Sequence, residues 1–516
     1  MAYNMLIYIV AFLPATILLY QLIPQKFRYI VLLIANCTFF CMISKGLIVY
    51  LVFASLVTYG LGLRIEYVSE HTEGGAKAVT KAKRKVLALG IILNLLILIT
   101  LKYTNFFLEN IIHFSHLFKS KWEFRAIKFL VPIGISFYTL EIISYLTDVY
   151  RGTIKAERNY AKVALYLSFF PQIMEGPIAR FSDTADDLYA GKSITFDNLK
   201  FGYQRIVWGL FKKMVIADRL YMIATYVFTE YAKLDGSIIL AGAIAYTGQL
   251  YMEFSGVMDI IIGSGEIFGI KLPENFRQPF AAKNASEFWR RWHITLGAFF
   301  KDYIFYPVSL AKPVKNFAKK IKNSLGKNVS KFVAPTIALF CVWACNGLWH
   351  GAKWTFIFYG MYYFVIIFIE NITEAPVKKI TDKLHIKREG RIYKACQSVR
   401  LFIIVIIGEM FFRADSMRIG CTMFKKLFTD FHITELWNNI FKLKLDYYDF
   451  FVAIIGIVIV TIIGIIKERK EDLRRGIGTF PIVVRWAFWY ACILAVVFFG
   501  AYGTGYTMVD LIYAGY

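Results

Sequence analysis

The sequence has few of the side chains from which catalytic and metal sites are usually built. Its 516 residues include seven cysteines, seven histidines and 36 aspartates and glutamates, against 60 lysines and arginines. No two cysteines form a CxxC pair, and most fall in apolar segments, so they are predicted to be small core side chains. Two pairs have helical i,i+4 spacing without an accompanying histidine or carboxylate: Cys37 with Cys41, and Cys341 with Cys345. We therefore expect no metal site.

Acidic residues are so outnumbered that the formal net charge is +24. A charge of this size could indicate nucleic-acid binding, but the basic residues cluster in short loops between apolar runs. That distribution is typical of membrane proteins, whose cytoplasmic loops are rich in lysine and arginine. The charge therefore predicts membrane topology and contact with phospholipid, and we expect no nucleic acid as a partner.

No polar stretch is long enough to suggest a soluble catalytic domain, and no internal repeat is visible. Instead, 58% of the residues are hydrophobic and 17% are aromatic, which is far more apolar area than a soluble domain could cover. Several runs approach the roughly 20 residues that span about 30 Å of hydrocarbon: Met5–Tyr20, Gly46–Leu63, Val86–Thr100, Tyr448–Ile466 and Val484–Phe499. The sequence predicts an all-α polytopic membrane protein with about 11–13 spanning or re-entrant helices.

Basic stretches predict the orientation of these spans. We place Arg64–Lys85 in the cytoplasm; three spans precede it, so the N-terminus is predicted to be extracytoplasmic. The first run lacks the basic region and cleavage site of a signal peptide and should remain as a span, and neither end carries a lipidation signal. Three later basic stretches are also expected in the cytoplasm: Lys312–Lys331, Lys378–Lys394 and Lys467–Arg485. Two hairpins fit between them, Phe332–Ile369 and Leu401–Ile466, and the C-terminus is then extracytoplasmic.

Two regions do not fit simple spans. Phe169–Arg180 reads FFPQIMEGPIAR, and its prolines predict broken or re-entrant backbone. Such backbone survives at membrane depth only where it is packed in protein or lines a wet cavity. Lys315–Lys331 alternates apolar and basic residues at helical spacing, which predicts an interfacial helix on the cytoplasmic leaflet.

Two of the seven histidines lie among aromatic and apolar residues, namely His293 and His350. The other five fall in predicted cytoplasmic or extracytoplasmic segments: His71, His113, His116, His385 and His432. An ionisable group at membrane depth is expensive and usually functional, and histidine suits proton transfer near neutral pH. Neither residue has the spacing of a serine–histidine–acid triad or of a metal site around it.

His293 lies in Asn284–Pro307, NASEFWRRWHITLGAFFKDYIFYP. Ser286 is a candidate N-cap, with a tryptophan rather than a glutamate at N3. A helix through the stretch places His293 on one face with three apolar residues: Trp289, Leu296 and Phe300. Because Arg290 and Arg291 would be costly in an isolated span, the helix is predicted to be buried in protein or oblique to the membrane. The alternative is an interfacial helix whose arginines reach phosphates.

His350 lies in Cys345–Trp354, CNGLWHGAKW, between Gly347 and Gly351. Glycine permits close approach and positive φ, so a helix hairpin or break is predicted here. Two interpretations stay open from the spacing alone. The histidine either caps a helix end through a carbonyl, or acts as a catalytic group at membrane depth.

The two histidine motifs, FWRRWHITLGAFFKDYIFYP and NGLWHGAKWTFIFYG, together resemble the membrane-bound O-acyltransferase (MBOAT) family. Further stretches agree in order along nearly the whole chain: FLPATILLYQLIPQKFRYIVLLIANCTFF near the start, FFPQIMEGPIAR, Tyr251–Phe280, and FFRADSMRIG at Phe411–Gly420. They look most like the bacterial branch typified by the alginate O-acetyltransferase membrane subunit (AlgI-type).

The resemblance implies one MBOAT domain over residues 1–516, a helical bundle around a funnel or tunnel. Its parts would be N-terminal helices at 1–150, a catalytic core at 160–371 and C-terminal helices at 396–516. The family's catalytic histidine maps onto His350, and the second histidine of the branch maps onto His293. Substrate-binding candidates, among them two arginines for donor phosphates or lipid headgroups, are Arg290, Arg291, Trp289, Asn346, Trp349 and Glu175.

The implied activity moves an acetyl group from a cytosolic thioester, acetyl-CoA, across the cell membrane to a hydroxyl, for O-acetylation of an exopolysaccharide or wall glycan. His350 would be the general base, while His293 would orient it, assist it or donate to the oxyanion. No glycine-rich phosphate loop marks a nucleotide site, and no bound cofactor is expected. Expected partners are membrane lipids, the acyl donor, an extracytoplasmic acetyltransferase or esterase-like protein, and glycan synthase machinery.

Two other functions stay open. D-alanyl transfer to teichoic acid belongs to the same family, but its members are typically shorter, and FFRADS with two following spans favours acetyl transfer. A non-enzymatic transporter predicts inverted repeats, and no internal symmetry is visible.

Two features depart from the family: Glu175 stands where a small residue is usual, and the C-terminal LIYAGY matches the aromatic ending of the branch only loosely, which puts partner docking through that end in doubt.

Overall fold

In the computed structural model, helices account for most of the chain. The structure describes residues 3–502 apart from 117, 119–122, 124–125, 440, 442 and 470–472. Within these residues the only β-type pairing is an isolated antiparallel bridge between Phe276 and Trp292. The predicted all-α class is confirmed, while the predicted C-terminal departure, LIYAGY, lies outside the described residues.

The first ten α-helices are α1 (Leu13–Leu22), α2 (Arg28–Ser44), α3 (Ile48–His71), α4 (Gly75–His116), α5 (Ile135–Arg151), α6 (Tyr160–Ser168), α7 (Phe181–Ala190), α8 (Phe196–Leu210), α9 (Asp218–Glu230) and α10 (Gly236–Ile267). The next six are α11 (Ala285–Arg291), α12 (Ile294–Phe300), α13 (Tyr306–Leu310), α14 (Lys312–Leu325), α15 (Lys327–His350) and α16 (Trp354–Lys383). The last six are α17 (Arg391–Arg413), α18 (Met417–Thr429), α19 (Ile433–Asn439), α20 (Tyr447–Arg469), α21 (Leu473–Ile477) and α22 (Ile482–Phe499). Short π-helical segments precede α1 at Ile7–Phe12, join α8 to α9 at Phe211–Ala217 and join α12 to α13 at Lys301–Phe305.

Seven helical segments of the described chain are long and apolar enough to cross a membrane. They are Gln25–His71, Gly75–His116, Lys327–His350, Trp354–Lys383, Arg391–Arg413, Tyr447–Arg469 and Ile482–Phe499. The first of these is interrupted at Lys45, whose φ of 47° separates α2 from α3. A shorter apolar helix covers Ile7–Leu22. The chain is therefore a multi-pass membrane protein, as its composition predicted.

The described chain forms two compact units. One combines the chain up to Arg205 with Ile261–Pro273, and the other combines Ile206–Ile260 with the chain from Glu274 onward. Both α8 and α10 contribute residues to the two units.

In the first unit, residues 169–179 are buried without forming a helix. The Tyr3 hydroxyl donates to the carbonyl of Phe170 at 3.0 Å and accepts from the Met174 N–H at 3.2 Å. The Asn36 side chain on α2 accepts from the Phe170 N–H at 2.9 Å. These partners replace the hydrogen bonds that a regular helix would have made, so the predicted broken backbone is confirmed and its packing in protein explains how it is tolerated.

One basic stretch is more helical than expected, and another is helical as predicted. Arg64–Lys85 was expected as a loop, but α3 continues to His71 and α4 begins at Gly75. Lysine and arginine are good helix formers, and their long stems let a helix run on past its apolar part. The predicted interfacial helix is α14, which buries none of its residues and ends before Gly326. Its leaflet stays a prediction.

In the second unit, α15 and α16 form the first predicted hairpin. The two helices approach at glycines, since a Cβ at Gly347 would lie 2.6 Å from the carbonyl oxygen of Phe356. A Cβ at Gly360 would meet the carbonyl oxygen of Trp343 at a still shorter distance. Only glycine permits this approach, and it brings the C-terminal end of α15 against α16.

Candidate active site

His350 is the last residue of α15 and is 6% exposed. The helix ends there because Gly351 has φ 151° and ψ −179°, a conformation that favours glycine. The next helix, α16, begins at Trp354. The predicted hairpin or break is therefore confirmed at Gly351, while Gly347 lies inside α15, and the histidine stands at a helix end that is buried inside the protein.

Aromatic rings enclose the His350 imidazole on several sides. Its centroid lies 5.1 Å from that of Trp349, 5.0 Å from Phe412 and 5.9 Å from Tyr359. Phe356 adds a fourth ring at 6.3 Å. The imidazole thus sits in an apolar, water-poor environment, where electrostatic interactions are stronger than in water.

His293 lies between two short helices and not inside one. It has φ 48° and ψ 50°, and it separates α11 from α12. The predicted continuous face of Trp289, His293, Leu296 and Phe300 is therefore wrong. An extended pairing overrides the helix, because the Arg277 N–H donates to the Arg291 carbonyl at 2.9 Å.

The start of this segment also differs from the prediction. Asn284, and not Ser286, is the N-cap of α11, and its side chain accepts from the Glu287 N–H at 2.8 Å. Glu287 therefore occupies N3, where a glutamate favours the helix start, and its carboxylate accepts from the Lys283 N–H at 2.9 Å. The sequence contained this capping pattern, with Asn284 two residues before the predicted cap and Glu287 three residues after Asn284.

Asn275 fixes the position of His293. Its Oδ1 lies 3.3 Å from Nδ1 of His293 and accepts from both the N–H and the hydroxyl of Thr295, at 3.1 and 2.9 Å. The carbonyl of Asn275 also accepts from the Ile294 N–H at 3.0 Å. One asparagine therefore holds the backbone turn and faces the imidazole, which is 2% exposed.

The structure brings the two histidines together around Trp349. The Trp349 indole centroid lies 5.6 Å from the His293 ring and 5.1 Å from the His350 ring. Phe254 on α10 closes another side of His293, with ring centroids 4.9 Å apart. Two proton-carrying rings therefore share one buried aromatic cluster.

The remaining predicted site residues of this unit differ in their surroundings. Asn346 is buried one turn before His350 on α15, and Trp289 packs on Trp343 at 4.9 Å between ring centroids. Arg290 is exposed. Arg291 is held by two carboxylates, Glu287 at 3.0 Å and Glu468 at 2.8 Å.

The family is decided by the comparison with known proteins. Residues 153–413 match the sequence profile of the MBOAT, membrane-bound O-acyltransferase family. The chain belongs to this family. The matched region contains both histidines and the α15–α16 hairpin.

Curated relatives extend the match beyond the family profile. The chain is 32% identical over 429 residues to the probable alginate O-acetylase AlgI of Pseudomonas aeruginosa, covering 83% of this chain and 75% of the relative. It is 29% identical to the peptidoglycan O-acetyltransferase of Helicobacter pylori, covering 82% of this chain and 79% of the relative. It is 30% identical to the teichoic acid D-alanyltransferase of Bacillus subtilis over 48% of this chain and 60% of the relative. The protein is thus an enzyme, a membrane O-acyltransferase that uses an acyl donor.

Glu175 belongs to the first unit of this acyltransferase. It is 2% exposed in the non-helical segment described above. The segment around it is therefore tied to the N-terminal residues of the chain through Tyr3.

Three residues near the histidines were missed by the sequence analysis: Asn275, Tyr359 and Glu409. Glu409 carries a signal that could have found it, because it is a carboxylate inside the apolar run LFIIVIIGEMFF of α17. An ionisable residue in such a run is a functional candidate by default. Asn275 and Tyr359 have no comparable local signal, since their neighbours in sequence do not distinguish them from structural residues.

Proposed function

We propose that this acyltransferase moves an acetyl group from cytosolic acetyl-CoA across the membrane to a hydroxyl, with His350 as general base. The observation that carries the proposal is the pairing of His350 and His293 around Trp349 in a buried aromatic cluster. Two imidazoles in one dry cluster supply a base and a second hydrogen-bonding group. The extensive similarity to alginate and peptidoglycan O-acetyltransferases supports acetyl as the group transferred.

The reaction requires little from the protein beyond proton transfer and charge stabilisation, because a thioester is already activated. The acceptor oxygen attacks the thioester carbonyl carbon, its proton passes to His350, and the carbon–sulfur bond breaks. His350 then returns the proton to the departing thiolate, so that an ester and a free thiol are formed. His293 donates a hydrogen bond to the oxyanion or keeps His350 in place, and Asn275 holds His293 for either role.

The direction of transfer follows from the proposed topology. We place α14 and the basic stretches Lys378–Lys394 and Lys467–Arg485 in the cytoplasm, with both termini outside. The turn between α15 and α16 then points away from the cytoplasm, so His350 can meet an acceptor that arrives from the outer side. The donor would enter from the inner side, where an exposed Arg290 is the free candidate for its phosphates.

The acceptor is proposed to be an extracytoplasmic acetyltransferase or esterase-like protein, whose serine passes the acetyl group to an exopolysaccharide or wall glycan. D-alanyl transfer to teichoic acid is the second candidate, supported by the shorter match to the teichoic acid D-alanyltransferase. Acetyl transfer is favoured because the alginate O-acetylase match covers 83% of this chain against 48% for the D-alanyltransferase match.

Sealed membrane vesicles test the proposal. Host cells lacking the gene are complemented with the wild type, His350→Ala, His293→Ala or the control His71→Ala, and labelled acetyl-CoA is supplied on the cytosolic face. We expect base-labile acetate on glycan with the wild type and the exposed-histidine control, and a loss of at least about a hundredfold with His350→Ala. Normal acetylation by His350→Ala would overturn the general-base assignment. Label from an activated D-alanine carrier, with none from acetyl-CoA, would favour the second candidate.

A further inference from the structure

Glu409 is a buried carboxyl group that the proposed mechanism does not use. It lies on α17 and is 1% exposed. Its Oε1 accepts from the Tyr359 hydroxyl at 2.8 Å, and its Oε2 has no hydrogen-bond partner among the residues that the structure describes. A carboxyl group with one partner is costly inside a membrane protein, where an apolar residue of similar volume would cost nothing.

The other buried acids of this unit are matched by cations. Asp218 and Glu253 both bind Lys213, at 2.7 and 3.1 Å, and Asp259 binds Lys212 at 2.6 Å. These ion pairs offset the cost of burial within the unit itself. No such ion pair of Glu409 occurs in the described part of the chain. Glu409 therefore differs from these acids, since its hydrogen-bond partner in the described part of the chain is the neutral hydroxyl of Tyr359.

Tyr359 connects Glu409 to His350. The Tyr359 ring on α16 stands nearly perpendicular to the His350 imidazole, with centroids 5.9 Å apart. Phe412, one turn beyond Glu409 on α17, packs edge-on against the same imidazole at 5.0 Å. Glu409 and Phe412 therefore share the face of α17 that closes the aromatic cluster behind the histidine.

A glycine keeps this face of α17 close to α16. A Cβ at Gly408 would come within 3.2 Å of the Tyr362 and Tyr363 side chains. A larger residue at this position would require the two tyrosine side chains to shift. The link is thus fixed by helix packing and not by a flexible surface contact.

We propose that Glu409, acting through the Tyr359 hydroxyl, is a positioning residue for His350 that holds the imidazole in place and stabilises its protonated form during acyl transfer. When His350 takes the acceptor proton it becomes a cation in a low-dielectric cluster, where the oxygens of a nearby carboxyl group stabilise it far more than they would in water. The inference rests on the proposed role of His350. It adds a third helix, α17, to the catalytic apparatus.

Two variants break the link from opposite sides. Glu409→Gln keeps the volume and an oxygen that can accept from Tyr359, and it removes only the ability to ionise. Tyr359→Phe keeps the ring against His350 and removes only the hydroxyl. Each is assayed in the vesicles described above for label transferred from acetyl-CoA, with Glu374→Gln as a matched control, since Glu374 is an exposed glutamate paired with Arg388.

We expect each variant to lower kcat about tenfold to a hundredfold, with the KM for acetyl-CoA unchanged, since a misplaced catalytic group costs rate without affecting donor binding. The double variant should be no slower than the slower single variant, because both changes break one link. The control should match the wild type. Folding is checked by monodispersity and thermal unfolding in detergent, and Tyr359→Phe tests the same link if Glu409→Gln does not fold.

Wild-type kcat in a folded Glu409→Gln, or losses that multiply in the double variant, would overturn the inference. A failure of the proposed function gives a different result in the same assay. In that case the wild type itself transfers no label, or His350→Ala retains full transfer. Loss of transfer in His350→Ala together with a normal Glu409→Gln leaves the function standing and removes only Glu409.

Discussion

The Oδ1 atom of Asn275 lies 3.3 Å from Nδ1 of His293, and the same oxygen accepts from the backbone and hydroxyl of Thr295. The asparagine thus holds a histidine at φ 48°, a left-handed conformation that a residue other than glycine rarely adopts. Strain of this kind persists only where the surroundings enforce it. The site therefore depends on a residue that carries no proton in the reaction.

Replacing Asn275 with alanine should disable the enzyme without unfolding it. Three hydrogen bonds to its side chain are lost, the His293 turn relaxes, and a shift of about 1 Å costs roughly a hundredfold in rate. Acetyl transfer in vesicles measures the loss. Asn94→Ala is the matched control, because Asn94 is also buried but its side chain donates to the Gly90 carbonyl of its own helix. Equal activity in the two variants would contradict the positioning role.

The hairpin that carries His350 should be sensitive to a single methyl group. Gly360→Ala places a Cβ against the Trp343 carbonyl and should lower the free energy of unfolding by about 1–3 kcal/mol, the usual cost of overpacking. Gly60→Ala on α3 is the comparison, since no atom lies within 4 Å of its Cβ position. Thermal unfolding in detergent distinguishes them: a decrease for Gly60→Ala as large as for Gly360→Ala would argue against close packing as the cause.

The buried cation Lys213 should contribute more to the free energy of unfolding than an exposed lysine does. Lys213→Met leaves Asp218 and Glu253 buried without their partner, which costs about 3–5 kcal/mol of stability when one side of a buried pair is removed. Lys233→Met removes an exposed partner of Glu230 and should leave the unfolding temperature unchanged. Chemical unfolding of the purified variants provides the measurement, and similar midpoints would disprove the difference.

The contact between Asp235 and His432 predicts a pH dependence outside the membrane spans. Their Oδ2 and Nδ1 atoms are 2.8 Å apart, and hydrogen bonding to this carboxylate raises the pKa of His432 above its usual value. Burial acts to raise the pKa of Asp235, but hydrogen bonds from Ser237 and His432 outweigh it and lower that pKa to about 2.

The two pKa shifts affect stability at opposite ends of the pH range. The contribution of protonated His432 to the free energy of unfolding is fully present below the ordinary histidine pKa of about 6.5. It is lost as pH rises through the raised pKa of the folded state. The contribution of ionised Asp235 to the free energy of unfolding is present above its ordinary pKa of about 3.9. It is lost as pH falls through the folded-state pKa of about 2. Wild-type melting temperature should therefore decline as pH rises above about 6.5. Asp235→Asn should flatten this decline and His71→Asn should preserve it; an unchanged slope in Asp235→Asn would refute the assignment.

The two neighbouring arginines should differ in their effect on the donor. Arg291 is already engaged by Glu287 and Glu468, whereas Arg290 is exposed. If donor phosphates bind here, Arg290→Gln should raise the KM for acetyl-CoA several-fold, with kcat little changed. Arg291→Gln should instead lower thermal stability. Initial rates at varied acetyl-CoA concentrations separate the two, and an unchanged KM in Arg290→Gln would remove that residue from the donor site.

Much of the fold could be predicted because the bilayer imposes a simple rule on local sequence. Apolar runs such as Tyr448–Ile466 must be helical in a membrane, since no water is present to satisfy the backbone. The prolines of Phe169–Arg180 predicted a break for the same reason, and Gly347 with Gly351 predicted the end of α15. Each of these properties depends on residues that adjoin one another in the chain.

The site was predicted only in part. The local pattern and the family resemblance singled out His293 and His350, but helical spacing placed His293 inside a helix. The structure interrupts that helix, because Asn275 and Arg277 bond to the backbone on both sides of His293. Local helix propensity is weak and yields to such tertiary contacts.

The sequence by itself determined that this protein crosses a membrane by helices and carries two unusual histidines in apolar surroundings. Hydrophobicity, proline and glycine act locally, so their consequences can be predicted from the order of residues. Only the tertiary structure decided that Trp349 packs against both imidazoles and that Tyr359, bonded to Glu409, packs against His350. The contact of Trp349 with His293 and the contacts of Tyr359 with Glu409 and His350 join different parts of the fold, and close packing selects the pairs that meet.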